Sequence, residues 1–132
     1  MNAPSEDIKD MLVADGDLNL TFAVNLFVGK EPTSPNNCVT VFDTPGSPPL
    51  LGLNSDLEYY YPSIQIRVRH IDYIVGYEWA YNIMKSLHAR SQEAWNDTSY
   101  SIIRSMGDPA HLDWDENGRS RFVINFDLQR TN

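Results

Sequence analysis

The feature that most constrains this chain is an abrupt change of hydrophobic period at Asp72. Over residues 63–71, Ile64, Ile66 and Val68 alternate with Gln65, Arg67 and Arg69, the signature of a strand with one buried face. Asp72 can cap a helix, and beyond it the period lengthens. The spacing predicts a helix over 73–90, about 27 Å long at ~1.5 Å per residue. Its inner stripe reads Tyr73, Tyr77, Ala80, Met84 and Leu87, with Tyr81 and His88 on the flank. Glu78, Asn82, Lys85 and Ser86 face away. Trp79 falls with this outward set, where an indole calls for a covering partner. A strand that runs directly into an amphipathic helix implies a helix-covered sheet.

The remaining elements extend that frame. A short helix opens the chain: Ser5 is its expected N-cap, Glu6 and Asp7 suit the positive end of the dipole, and Ile8, Met11 and Leu12 share a face. Asp15-Gly16-Asp17 ends it. Leu20, Phe22, Val24, Leu26 and Val28 alternate, predicting a long strand over 20–28. A loop with Pro32 and Pro35 leads to a short strand at 38–42. Residues 43–61, punctuated by Pro45-Gly46 and Pro48-Pro49, read as a long irregular loop. Leu50, Leu51 and Leu53 inside it need a covering partner, and Tyr59-Tyr60-Tyr61 closes it. After Trp95-Asn96-Asp97 comes a strand at 100–106. Asn117-Gly118 then marks a hairpin joining 111–115 to a strand from Arg119 onward. The order α-β-β-β-α-β-β predicts an α+β fold in a single domain, 1–132. We expect a mostly antiparallel sheet of about four to five strands, two covering helices and a C-terminal β-hairpin.

Bulk properties narrow the function classes. At 132 residues, 42% hydrophobic and 21% charged, the chain can bury one core and is not disordered throughout. No apolar run approaches the ~20 residues that span a bilayer, and the N-terminus does not read as a secretory signal. Cys38, the single cysteine, forms no internal disulfide and sits in an apolar strand pattern, which suits a buried thiol in a reducing compartment. The formal charge of −8 excludes a domain that grips nucleic acid through a basic stripe. It is compatible with a surface that nucleic acid slides past, and equally with acidity that serves only solubility.

Motifs for chemistry are sparse. Asp113-Trp114-Asp115-Glu116-Asn117-Gly118 imitates the first half of an EF-hand loop. Ile124 occupies the position of the required glutamate, so the segment reads as a hairpin tip. His70, His88 and His111 lie in different elements and make no local metal pair. The sequence contains no nucleophile elbow, phosphate-cradling loop or dinucleotide fingerprint. We therefore expect no enzyme, no cofactor and no metal. The alternative from this class is a metal-dependent enzyme using His111, Asp113 and Asp115.

Two stretches carry a family resemblance. The first is Tyr61-Pro62-Ser63-Ile64-Gln65-Ile66-Arg67-Val68-Arg69, running into Asp72-Tyr73 and a helix with Tyr77, Ala80, Ile83 and Leu87. The second is 112–119 followed by Phe122 to Phe126. Both resemble the minor capsid and tail terminator proteins of long-tailed phages, and the acidic opening helix and the length fit as well. Leu112-Asp113-Trp114 departs from the glycine common in that family just before the hairpin's first acidic residue. The resemblance implies a virion protein of the tail or neck, assembled in the host cytoplasm. It would form a hexameric ring that docks on the last ring of the major tail-tube protein, stops polymerisation and offers a surface to head–tail connector proteins. DNA would pass through the channel without specific binding, and no membrane is involved. The same scaffold could serve as a head-completion or connector protein at another ring, or as a monomeric adaptor outside any virus. A ring needs two different complementary surfaces per protomer. Candidates for subunit or tube contacts are Leu50, Leu51, Leu53, Tyr59, Tyr60, Arg67, Arg69, Trp79, Trp114 and Arg121. The plain alternatives are solvation for the arginines and local packing for the aromatics.

Overall fold

The computed structural model describes residues 1–51 and 58–131. Two helices, α1 (Pro4–Ala14) and α2 (Tyr73–Leu87), lie on one sheet. Its strands are β1 (Leu26–Val28), β2 (Cys38–Leu51), β3 (Glu58–His70), β4 (Ser91–Trp95), β5 (Thr98–Ser105), β6 (Ala110–Trp114) and β7 (Ser120–Thr131). The spatial order is β1-β2-β3-β7-β5-β4, and β6 also pairs with β7. One edge of β7 thus holds two partners in succession: β6 along 120–123 and β5 along 126–131. All pairings are antiparallel except β1–β2, which is parallel. The α+β class, the two helices and the C-terminal hairpin agree with expectation. Among the described residues the sheet is larger than expected, with seven strands, and mixed.

The core lies between the helices and one sheet face. Val39 and Val41, Ile64, Ile66 and Val68, and Phe122, Ile124, Phe126 and Leu128 meet Ile8, Met11 and Leu12 of α1 and Ala80, Ile83 and Leu87 of α2. These strand residues are the alternating sets of the sequence, so period two placed the buried face of β3 and β7 correctly.

Four local expectations need correction. First, α2 is rotated: its buried stripe is Gly76, Ala80, Ile83 and Leu87, while Tyr73, Tyr77 and Tyr81 stay exposed. A Cβ on Gly76 would lie 2.9 Å from both Phe122 Cε2 and His70 Cβ, so the helix approaches the sheet through a position without a side chain. Trp79 faces inward, packing against the core and edge-on to His70 at 4.9 Å between ring centroids. Second, the strand expected at 20–28 shrinks to 26–28. Asn19 and Ala23 have positive φ, and the Asn25 side chain accepts a hydrogen bond from the Thr21 N–H at 2.7 Å, which folds the preceding segment into turns. Third, most of the expected 43–61 loop is strand. β2 and β3 pair out to Leu51 and Glu58, with register shifts between Thr44 and Ser47 and between Ser47 and Leu50. Pro45, Pro48 and Pro49 are tolerated because this half of β2 has a strand on one side only. Fourth, α1 begins at Pro4, so Ser5 lies inside the helix rather than capping it.

Sequence reasoning also missed β4. It pairs with β5 across Asn96-Asp97, both at positive φ (51° and 62°), the geometry of a tight hairpin turn.

Candidate functional site

The expected contact residues fall into three groups. Arg67, Arg69 and Arg121 share the sheet face opposite the helices. Arg69 is only 2% exposed. Its guanidinium donates to the carbonyls of Pro32, Pro35 and Asn36 and to Glu31 Oε1 at 3.2 Å. Arg121 makes a forked pair with Asp113, both bonds 2.6 Å, and reaches the same Glu31 oxygen at 3.2 Å. Arg119, unsuspected from sequence, is buried. It bonds Asp115 at 2.7 Å, the Thr33 carbonyl at 2.7 Å and Asn36 at 3.2 Å. Three arginines therefore strap the 31–36 segment across the end of β3, β6 and β7, and fixed forks of donors suit that task. Arg69 and Arg121 spend their donors inside the protomer. Arg67 lies over the Phe42 ring, 4.9 Å from its centroid, and donates to Gln65 at 2.9 Å.

The same network accounts for the acidic residues of the 113–118 motif. The Arg121 fork holds Asp113 below the ordinary carboxylate range. For Asp115, burial alone would raise the pKa, but bonds from the Arg119 and Asn117 N–H groups and the Arg119 guanidinium bring it below its usual value. Asp115 is thus the turn's organiser, accepting from the Asn117 N–H at 3.0 Å and the Arg119 N–H at 2.8 Å. His111 packs on Phe122 at the helix-covered face, while Asp113 pairs with Arg121. Among the described residues no group of three or more His, Cys, Asp or Glu side chains is placed to hold a metal ion. No helix among them is long and apolar enough to cross a membrane.

The second group is aromatic. Trp114 is 56% exposed and stacks against Tyr73 with centroids 6.0 Å apart. Tyr73 (43% exposed) also meets His111 at 5.3 Å and Phe122 at 5.0 Å. Tyr77 (37%) and Tyr81 (40%) stack at 6.4 Å along the helix. The rotation of α2 creates this patch: Tyr73 and Tyr77, expected on the inner stripe, instead form with Tyr81 and Trp114 an exposed surface on α2 and β6. Trp79 does not join it.

The third group lies at the other end of the sheet. Leu50 is exposed on β2, and Tyr59 and Tyr60 are half-buried on β3. The Tyr60 hydroxyl donates to Glu58. The backbone of Leu51 pairs with Glu58, but its side chain, and all of Leu53, lie outside the described residues.

A scan against family models matches residues 5–132 to the bacteriophage tail terminator protein family. No curated protein matches. Among solved structures, a chain from the virion of a native gene transfer agent particle superposes with a TM-score of 0.67 at 10% identity, covering 98% of this chain and 96% of that one. A second solved chain gives a TM-score of 0.52 at 12% identity, covering 98% and 89%. At such identities these two likenesses speak for the fold alone. The family match spans nearly the whole sequence, and the chain belongs to the bacteriophage tail terminator family.

Proposed function

We propose that this protein is a structural component of the virion that closes the phage tail tube. Protomers assemble head to tail into a hexameric ring. The ring sits on the last ring of the major tail-tube protein, ends polymerisation and presents its far side to the head–tail connector proteins. The observation that carries this reading is the family match over 5–132. Support comes from the resemblance to a chain of a gene transfer agent virion, and from the exposed aromatic residues Tyr73, Tyr77, Tyr81 and Trp114, which lie together. A charge of −8 suits a channel wall along which DNA moves without sticking.

Of the 43–61 segment, residues 51–57 are the proposed docking element for the tube or neck, carrying Leu51, Leu53 and Leu57, and the β2 edge before them is left to contacts between protomers. Added to polymerising tube protein, the wild-type chain should shorten the tubes and leave a ring at one end in electron micrographs. A chain carrying Leu51→Ser, Leu53→Ser and Leu57→Ser should fold yet leave tube length unchanged. Tubes that grow identically with and without the intact protein would refute the capping role.

A further inference from the structure

The ring reading requires two complementary surfaces on each protomer, and two exposed features of opposite kind stand at opposite ends of the sheet. One is the aromatic patch of Tyr73, Tyr77, Tyr81 and Trp114. It lies where β3 ends and β7 begins. The other is the outer edge of distal β2, where Pro45, Pro48 and Pro49 are all exposed. It pairs near the beginning of β3, beside the end of β7. Ser47 pairs with Tyr61, nine residues before β3 ends at His70, which sets the edge and the start of the patch roughly 30 Å apart at ~3.3 Å per residue, so they do not meet within one chain.

We propose that the proline edge of β2 in one protomer packs onto the aromatic patch of the next. This rests on the ring reading and specifies its subunit contact. Prolines at 45, 48 and 49 remove backbone donors from this stretch, which weakens any extension of a neighbour's sheet through backbone pairing and leaves the contact to side chains. Pro45-Gly46-Ser47-Pro48 has the spacing with which extended proline segments lie on aromatic-lined surfaces, and Leu50 adds an apolar side chain beside it. A Cβ on Gly46 would stand 2.0 Å from the Tyr61 carbonyl oxygen, so the backbones of β2 and β3 are in close approach at this point.

Area agrees with this assignment. With about 200 Å² for a whole aromatic side chain, the open fractions of the four rings amount to on the order of 350 Å². That approaches half of the ~800 Å² each partner gives to a standard interface, before the exposed Ile74 and Leu112 are added. One protomer offers the patch at one end and the edge at the other, which is the heterologous pairing that closes rings.

The test mixes two full-length variants, Pro48→Cys and Tyr77→Cys, and treats them with a short bis-maleimide. Cys38 is fully buried and serves as a silent background. The pair Pro45→Cys and Trp114→Cys provides a second reading should either first variant fold poorly by circular dichroism. Cross-linked dimers should appear in the mixture and be absent from each variant alone, both in solution oligomers and in rings on tube ends. If a closed oligomer forms while the residue 77 thiol reacts freely with mono-maleimide and no 48–77 link appears, the contact is refuted and the ring stands. Links from residue 77 to the tube protein would assign the patch to the tube and overturn the proposal. A protein that stays monomeric alone and on tubes sinks both the contact and the ring.

Discussion

Asp43 caps the first helix from thirty-eight residues away: its carboxylate accepts the Ser5 N–H at 3.0 Å and the Ser5 hydroxyl at 2.6 Å. A strand residue thereby does the work expected of a local cap, and it ties α1 to the base of the β2–β3 hairpin. On the other side of the same helix, the buried carboxylate of Asp7 accepts from Asn96 at 2.6 Å and from the Tyr100 hydroxyl. Burial and that carboxylate raise the Tyr100 pKa well above its ordinary range.

Removing the remote cap should cost stability as removal of a local one does. We expect Asp43→Ala to lower the unfolding free energy by about 1 kcal/mol in urea titrations. Ser5→Ala should add much less in the Asp43→Ala background than in the wild type, because the two groups share one interaction. Full additivity would show that they act separately.

The strap should respond most to Arg69. Arg69→Met leaves the Pro32, Pro35 and Asn36 carbonyls without their donor and Glu31 with Arg121 alone. Breaking a buried pair from one side costs about 3 kcal/mol or more. Hydrogen exchange should accelerate selectively in 31–37; exchange that rises uniformly across the sheet would contradict a local strap.

Acid should loosen the same corner. Asp113 has a folded-state pKa below its unfolded one, so its contribution is present above the unfolded value near ~3.9 and is lost as pH falls through the folded value. Stability measured by urea at pH 7 and pH 3 should therefore fall less in Asp113→Asn than in the wild type. An equal fall in both would remove Asp113 from the acid response.

Crowding predicts the effect of a single methyl group at the hairpin. Gly46→Ala forces β2 away from the Tyr61 carbonyl and should destabilise the chain by about 1–3 kcal/mol. It should also impair capping more than Asp43→Ala does, since it displaces the proposed docking edge. Crystal structures or tube-length assays of both variants would settle the comparison.

Much of this architecture is legible in the sequence because burial has a period. Ile64, Ile66 and Val68, and the alternate residues from Ser120 to Leu128, identify their strands and buried faces, and Asp72 marks the start of α2 through a bond from Val75 N–H at 3.1 Å. In α2 the expected Ala80 and Leu87 are buried, while Gly76 and Ile83 complete the stripe in place of Tyr73, Tyr77 and Met84, because tyrosine is amphipathic and can be counted to either side, whereas Gly76 has no side chain to count. The distal hairpin was hidden because prolines signal loops, and only an open edge permits them in strand. The arginine strap has no periodic signal: Arg67 and Arg69 alternate alike, yet one lies on Phe42 while the other is enclosed by a loop thirty-odd residues away. The aromatic patch was half legible, since Trp114 and the tyrosines were visible as residues but their shared surface depends on the helix rotation.

Closure into a ring on the tube is tested most directly by light scattering of the purified protein, alone and mixed with the major tail-tube protein. A closed oligomer near six copies, free or formed only at tube ends, is the predicted result; a strict monomer at every concentration that ignores tubes would contradict it.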